Sequence, residues 1–427
     1  MTRVRPFVIQ GDICYSASPQ TVETVENGYL VCEEGRCAGV FRELPQAYRA
    51  LPLVDCGGKL VVPGLVDLHV HAPQYAFRGL GMDLELLEWL NTHTFPEESK
   101  YANADYADRA YRRFVRDVAR GPNTRACVFA TIHTEATIHL MDLLEESGLC
   151  TMVGKVNMDR NSPDILRETD AQASVTATLD WLRRTEGRYE HTTPILTPRF
   201  IPSCTDQLME QLHSLQQQFH LPVQSHLSEN QGEISWVREL CPQAKHYGDA
   251  YYRFGLFGGQ SCPTVMAHCV YSDGEELSLM KEQQVFVAHC PASNTNLSSG
   301  IAPVRRFLNE GIPVGLGSDV AGGTHTSIFR AMADAIQVSK LRWRLVDASL
   351  PPLTAAEAFY LGTAGGGAFF GQVGAFAPGW EFDAIVIDDS RYTPAGGLSL
   401  MDRLERSIYL CDERDLRHKF VQGRQLF

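Results

Sequence analysis

No run of apolar residues in the 427-residue chain is suited to crossing a membrane. The longest uncharged stretch, Ala358 to Trp380, holds seven glycines and Pro378, which break an apolar helix. Basic residues are in deficit, with 38 Lys+Arg against 51 Asp+Glu and a net charge of −13. Nucleic-acid backbones are bound through clustered Lys and Arg, and here these residues are scattered, so no nucleic-acid partner is expected. There is no CxxC pair, so neither a zinc ribbon nor a dithiol redox centre is expected. The start, Met1-Thr-Arg-Val-Arg-Pro6, leads into polar sequence without an apolar core, and no secretory signal is expected there. Twelve cysteines spread from Cys14 to Cys411, several inside apolar runs, fit buried, reduced thiols in a cytoplasmic protein.

What is present is an ordinary globular composition, 44% hydrophobic and 21% charged, in two rhythms. The first 60 residues alternate short apolar runs with turns, and Tyr29–Val40 reads as a hairpin turning near Glu34-Gly35. The same style returns in Asp383–Asp388 and Phe420–Phe427. A small β domain, a β-sandwich built from residues 1–62 and 374–427, is therefore expected. Between these ends, residues 63–373 show short apolar runs separated by amphipathic segments, the mark of βα units. The runs are Leu65–His71, Ala126–His133, Cys150–Asn157, Pro194–Phe200, Pro222–His226, Thr264–His268, Val285–His289 and Pro313–Asp319. Helices are expected over Asp105–Arg120 and Thr205–His220, the latter with Thr205 as N-cap. Eight such units predict an α/β fold, a (β/α)8 TIM-type barrel. An open doubly wound sheet is the alternative, but no Gly-rich phosphate fingerprint follows the first run.

The polar residues fall at the carboxyl ends of these runs, where such barrels place their active sites. The first ends His69-Val-His71, and later ones end in His226, His268, His289 and Asp319. Residues two apart on a strand face one way, so His69 and His71 can grip one ion. One strand-end histidine is usually a core or surface residue; a set of imidazoles and a carboxylate obeying one placement rule points to a metal site. Zinc suits such donors.

The motifs Pro63-Gly-Leu-Val-Asp-Leu-His-Val-His-Ala-Pro-Gln74, Pro198-Arg-Phe200, Gln224-Ser-His-Leu-Ser-Glu-Asn230, Met266-Ala-His-Cys-Val-Tyr271, Ala288-His-Cys-Pro-Ala-Ser-Asn294 and Gly315-Leu-Gly-Ser-Asp-Val-Ala-Gly-Gly323 resemble the amidohydrolase superfamily, in its mononuclear zinc deaminase branch. The HAPQ and PRF segments are similar to those of members that deaminate guanine in purine catabolism. The resemblance implies one Zn2+ per chain held by His69, His71, His226 and Asp319. It implies Glu229 as proton shuttle, His268 as the residue that orients water or stabilises charge, and Asp319 as a participant in catalysis. Gln74, Arg199 and Phe200 would contact guanine, beside His226 and His268. An Arg fork suits the O6/N7 edge, a Gln amide offers donor and acceptor, and Phe200 offers a flat apolar surface. A homodimer is implied as well.

Some features point elsewhere or depart from the pattern. His133-Thr-Glu135 matches half of another zinc deaminase motif, but its P-C-x-x-C partner is absent. Lys155 could suggest a carboxylated lysine bridging two metals, but the fourth run ends in Arg199, so one metal is expected. His289 is expected to make a structural or supporting hydrogen bond. Leu68, Ser318 and the loop Thr324-His325-Thr326 differ from the usual pattern, and that loop is where specificity could drift. Turnover of another purine, a pterin or a triazine is the alternative activity. A non-catalytic scaffold is disfavoured because the whole proposed ligand set and Glu229 are present.

Overall fold

The computed structural model describes residues 4–259, 262–394 and 397–427. Residues 1–3, which carry part of the expectation about the chain start, lie outside them. The two chain ends pair in one seven-stranded sheet, in the order 424–425, 416–421, 384–387, 53–63, 7–18, 21–33 and 36–41. The hairpin expected near Glu34-Gly35 joins Thr21–Glu33 to Arg36–Phe41. Both turn residues have positive φ, 50° and 82°, the backbone that matches strand twist in a two-residue turn. Register shifts at Gly11/Ile13 and Gln10/Asp12 bend the strand Phe7–Ser18. One side of the sheet packs its own apolar cluster, including Ile9, Ile13, Leu30, Val61, Phe382 and Phe420.

The middle of the chain is α/β. Strands Leu65–His71, Asn123–Phe129, Cys150–Gly154 and Thr192–Pro194 form one parallel sheet. Val223–Leu227, Thr264–His268, Phe286–His289 and Val314–Leu316 form a second. Each strand pairs with its neighbour in sequence, and parallel neighbours need crossover segments. Helices Ala104–Arg120, Thr134–Ser147, Ala171–Thr185, Asp206–Phe219, Gln231–Leu240 and Gly274–Glu282 lie in these crossovers. Asp206–Phe219 starts where expected, with Thr205 Oγ1 accepting from the Leu208 N–H at 3.2 Å. Two contacts join the sheets at one edge: Asp319 N–H donates to the His69 carbonyl at 2.8 Å and His71 N–H to the Val320 carbonyl at 3.1 Å. At the other edge Leu196 bridges in parallel to Val223. Val66, Leu68, Cys127, Ile195, Val265, Ala267, Ala288 and Cys290 form a separate buried cluster.

The strands differ from expectation in two places. The fourth run is split into Thr192–Pro194 and Thr197–Pro198, because Pro194 and Pro198 have no N–H for a ladder. The second strand stops at Phe129, so His133 is not a strand end but stands at the residue before Thr134–Ser147, without a side-chain capping bond. All twelve cysteines are buried and unpaired. Among the described residues no helix is long and apolar enough to cross a membrane.

Candidate active site

His69, His71, His226, His268 and Asp319 come from three strands and the loop after Val314–Leu316, and they meet at one end of the sheets. His69 Nε2 lies 3.1 Å from His71 Nε2, which lies 3.3 Å from His226 Nε2. Asp319 Oδ1 is 3.2 Å from His69 Nε2 and 3.4 Å from His71 Nε2. Burial pushes all three imidazoles below their ordinary range, which favours the form whose free ring nitrogen offers a lone pair. His226 Nδ1 donates to the Arg199 carbonyl at 2.6 Å, which leaves its Nε2 as an acceptor facing the other nitrogens. Lone pairs crowded so closely repel unless a cation lies between them. Tetrahedral zinc with Zn–N near 2.0–2.1 Å needs ligand atoms about 3.3 Å apart, which these separations match. Burial opposes ionisation of Asp319, but His69, His268 and His71 outweigh it and hold the carboxyl below its ordinary range.

The backbone pays for this convergence locally. His268 and Asp319 have φ of 74° and 43°, and Ser228 beside Glu229 has 47°, values that cost non-glycine residues roughly 1 kcal/mol each. Asp67 supports the turn by accepting from the N–H of His69 at 3.1 Å and of Ser318 at 3.0 Å, and from the Ser318 hydroxyl at 2.5 Å. Ser318 thus has a clear bonding role, through both its N–H and its hydroxyl. Gly317 is needed for close approach: a Cβ there would lie 2.9 Å from the His69 Cβ and 2.7 Å from the Cys290 Sγ.

Beside the cradle, Glu229 Oε2 is 3.4 Å from His268 Nε2, and its Oε1 accepts from the Ser299 hydroxyl at 3.1 Å. Burial pushes the Glu229 carboxyl up to about 7, against the pull of the His268 imidazole. A carboxyl poised there can both take and give a proton near neutral pH. His268 Nδ1 donates to Asn294 Oδ1 at 2.8 Å, and its Nε2 is 3.7 Å from Asp319 Oδ2. Burial disfavours its cation, but Glu229 and Asp319 prevail and raise its pKa.

A pocket opens onto these groups, lined also by Gln74, Arg199, Phe200, Trp89 and Leu297. Every residue expected at the site from sequence, apart from His69 behind His71, lines it. Arg199 and Gln74 sit at its wall, and both donate to Glu98, a buried carboxylate that does not itself line the pocket and that the motifs did not flag. The segment Phe95–Ser99 reads in sequence as an acidic helix start, and nothing in its spacing marks Glu98 as inward-facing.

Four expectations are settled differently or at a distance. The supporting hydrogen bond expected of His289 is not found: both ring nitrogens are buried without a partner among the described residues. The reason is strand alternation, since Ala288 and Cys290 join the enclosed cluster and His289 faces the opposite way, towards Val304, Ser339 and Arg342. His133 lies by another crevice, with Tyr101 and His139. Lys155 is fully buried and spends its ammonium on Glu168 Oε1 at 2.5 Å and the Val156 carbonyl at 3.1 Å. Residues 324–326 are not among those lining the pocket; the Thr326 carbonyl instead accepts from Asn123 Nδ2 at 2.7 Å.

Residues 60–426 match the Amidohydrolase family. The chain is 40% identical over 382 residues to a guanine deaminase of Dictyostelium discoideum, covering 88% of this chain and 84% of that protein. It is 33% identical over 420 residues to the guanine deaminase of Escherichia coli K12, covering 94% and 92%. The crystal structure of guanine deaminase from C. acetobutylicum with guanine bound in the active site superposes with a TM-score of 0.96 at 43% identity, covering 99% of this chain and 100% of that one. This chain belongs to the amidohydrolase family and groups within it with the guanine deaminases.

Proposed function

We propose that the protein is a metal-dependent aminohydrolase that converts guanine and water to xanthine and ammonia. The observation that carries this reading is one pocket with a cation cradle at one side and the Arg199/Gln74 pair at its wall. His69, His71, His226 and Asp319 would hold a single Zn2+. When bound, zinc lowers the pKa of a water molecule and supplies a nucleophile at neutral pH. Arg199 and Gln74 orient the base by its polar edge, and Phe200 and Trp89 cover it and exclude water. Glu229 takes the proton of the attacking water and passes it to the ring nitrogen beside C2, then aids departure of the 2-amino group as ammonia. His268, held by Asn294, directs Nε2 at the oxygen that bonds to C2. Asp319 takes part in the proton transfers through its place beside His268.

We also read the central residues 63–373 as a (β/α)8 barrel, supported by hydrogen bonds at both edges of the two parallel sheets. The bent sheet of residues 1–62 and 374–427 is read as a small β-sandwich, supported by its bulged strand and separate core. A substrate panel tests the activity: zinc-loaded protein offered guanine, adenine, cytosine, a pterin and a chlorotriazine. Selective conversion of guanine is expected, and turnover of another ring with guanine untouched would overturn the reading of the pocket.

A further inference from the structure

We infer that Glu98 is a positioning residue that sets selectivity for a 6-oxo over a 6-amino purine, an inference that rests on the proposed deamination of guanine. Glu98 is 1% exposed. Arg199 donates to it with both terminal nitrogens, at 2.6 and 3.2 Å. Gln74 Nε2 donates to the same carboxylate at 3.0 Å. On the far side of that amide, the Ala321 N–H donates to Gln74 Oε1 at 3.2 Å. An ionised carboxylate only accepts, so the amide of Gln74 has one allowed orientation, nitrogen towards Glu98 and oxygen towards Ala321.

The consequence for a ligand is a matter of counting. Arg199 has five N–H donors, and two are committed to Glu98, leaving three with no acceptor role possible. Gln74 Nε2 keeps a second N–H. The Arg199 side of the pocket therefore presents donors, and it suits a purine edge that offers acceptors. In guanine that edge is O6 and N7. A 6-amino group places N–H against N–H there, and the flip of Gln74 that would relieve it is blocked by Glu98. The phenyl ring of Phe95, 5.2 Å from the Arg199 Cζ, packs against the guanidinium and helps keep it in register.

The test compares guanine with 2,6-diaminopurine, which carries the same reactive 2-amino group and differs at C6. Wild-type protein, Glu98→Gln and Glu98→Asp are assayed for kcat/KM on both, with thermal melts to establish that each is folded. In Glu98→Gln the new amide can accept or donate, so the restraint on Gln74 from the side of residue 98 is lost and only the Ala321 N–H still favours the original orientation. The guanine preference should fall by roughly tenfold or more, whereas Glu98→Asp keeps an acceptor-only carboxylate and retains most of it. An unchanged preference in folded Glu98→Gln overturns the inference. If that variant does not fold, competition against guanine turnover by wild-type protein decides, because hypoxanthine should compete at least about tenfold better than adenine. Equal competition overturns the inference. Failure of wild-type protein to deaminate either diaminated ring or guanine instead overturns the proposed function itself.

Discussion

The backbone carbonyl of Arg199 accepts a hydrogen bond from His226 Nδ1 at 2.6 Å. One residue thus faces the pocket with its guanidinium and fixes the tautomer of a cradle histidine with its main chain. The partner of the non-coordinating ring nitrogen commonly sets the orientation and basicity of a metal-binding histidine. Here it also couples the position of the base to the position of the cradle, because both depend on the Pro198-Arg199-Phe200 backbone.

Replacing Arg199 by Ala separates the two roles. The main-chain bond to His226 survives, so metal content should stay at the wild-type level. Guanine kcat/KM should fall by roughly tenfold or more through loss of the fork. Glu98 would lose its buried ion pair and keep only the Gln74 hydrogen bond, which costs on the order of 3–5 kcal/mol of stability. Steady-state kinetics, metal analysis and denaturant melts read these three quantities, and undiminished guanine turnover would contradict the recognition mode.

Glu229→Gln should reduce kcat by roughly 10²–10⁴-fold while leaving metal content unchanged. In wild-type protein the carboxyl must be ionised to take the first proton. Its pKa is raised by burial to about 7, so kcat/KM should climb as pH rises towards about 7 and then level off. The same shift acts on stability. The contribution of the protonated group is fully present below its ordinary value of 4.5 and is lost as pH rises through about 7. Glu229→Gln should therefore melt above wild type at pH 8, with the difference closing below the ordinary carboxyl range. Equal melting at both pH values would contradict the burial argument.

Lys419 gives a prediction away from the pocket. Its buried ammonium donates to the carbonyls of Ala119 and Gly121 at 3.0 Å and of Val118 at 3.4 Å, fastening the C-terminal strand to the end of helix Ala104–Arg120. Lys419→Met should destabilise the fold by about 1–3 kcal/mol with little change in kcat. Chemical denaturation beside a guanine assay checks both halves.

Much of this arrangement was legible in the sequence, because it depends on where apolar runs end. Apolar runs closing in His69-Val-His71, His226, His268 and Asp319 placed these side chains together, and the two β-rich ends announced the sheet they share. His289 shows the limit of that rule. It also ends a run, but strand alternation turns it outwards, and run endings alone do not reveal which face a last residue takes. Glu98 shows another limit. Its role depends on contacts with Gln74 and Arg199, 24 and 101 residues away in sequence, and no local pattern carries that information. Proline accounts for the split fourth strand, whose missing N–H groups were visible but whose effect depended on the neighbouring strands.

The most direct measurement is a titration of zinc into metal-stripped protein, following xanthine and ammonia formed from guanine. Both products should appear in equal amounts, with activity rising linearly and levelling at one zinc per chain. Xanthine formation by metal-free protein, or no reaction at one equivalent, would contradict the account.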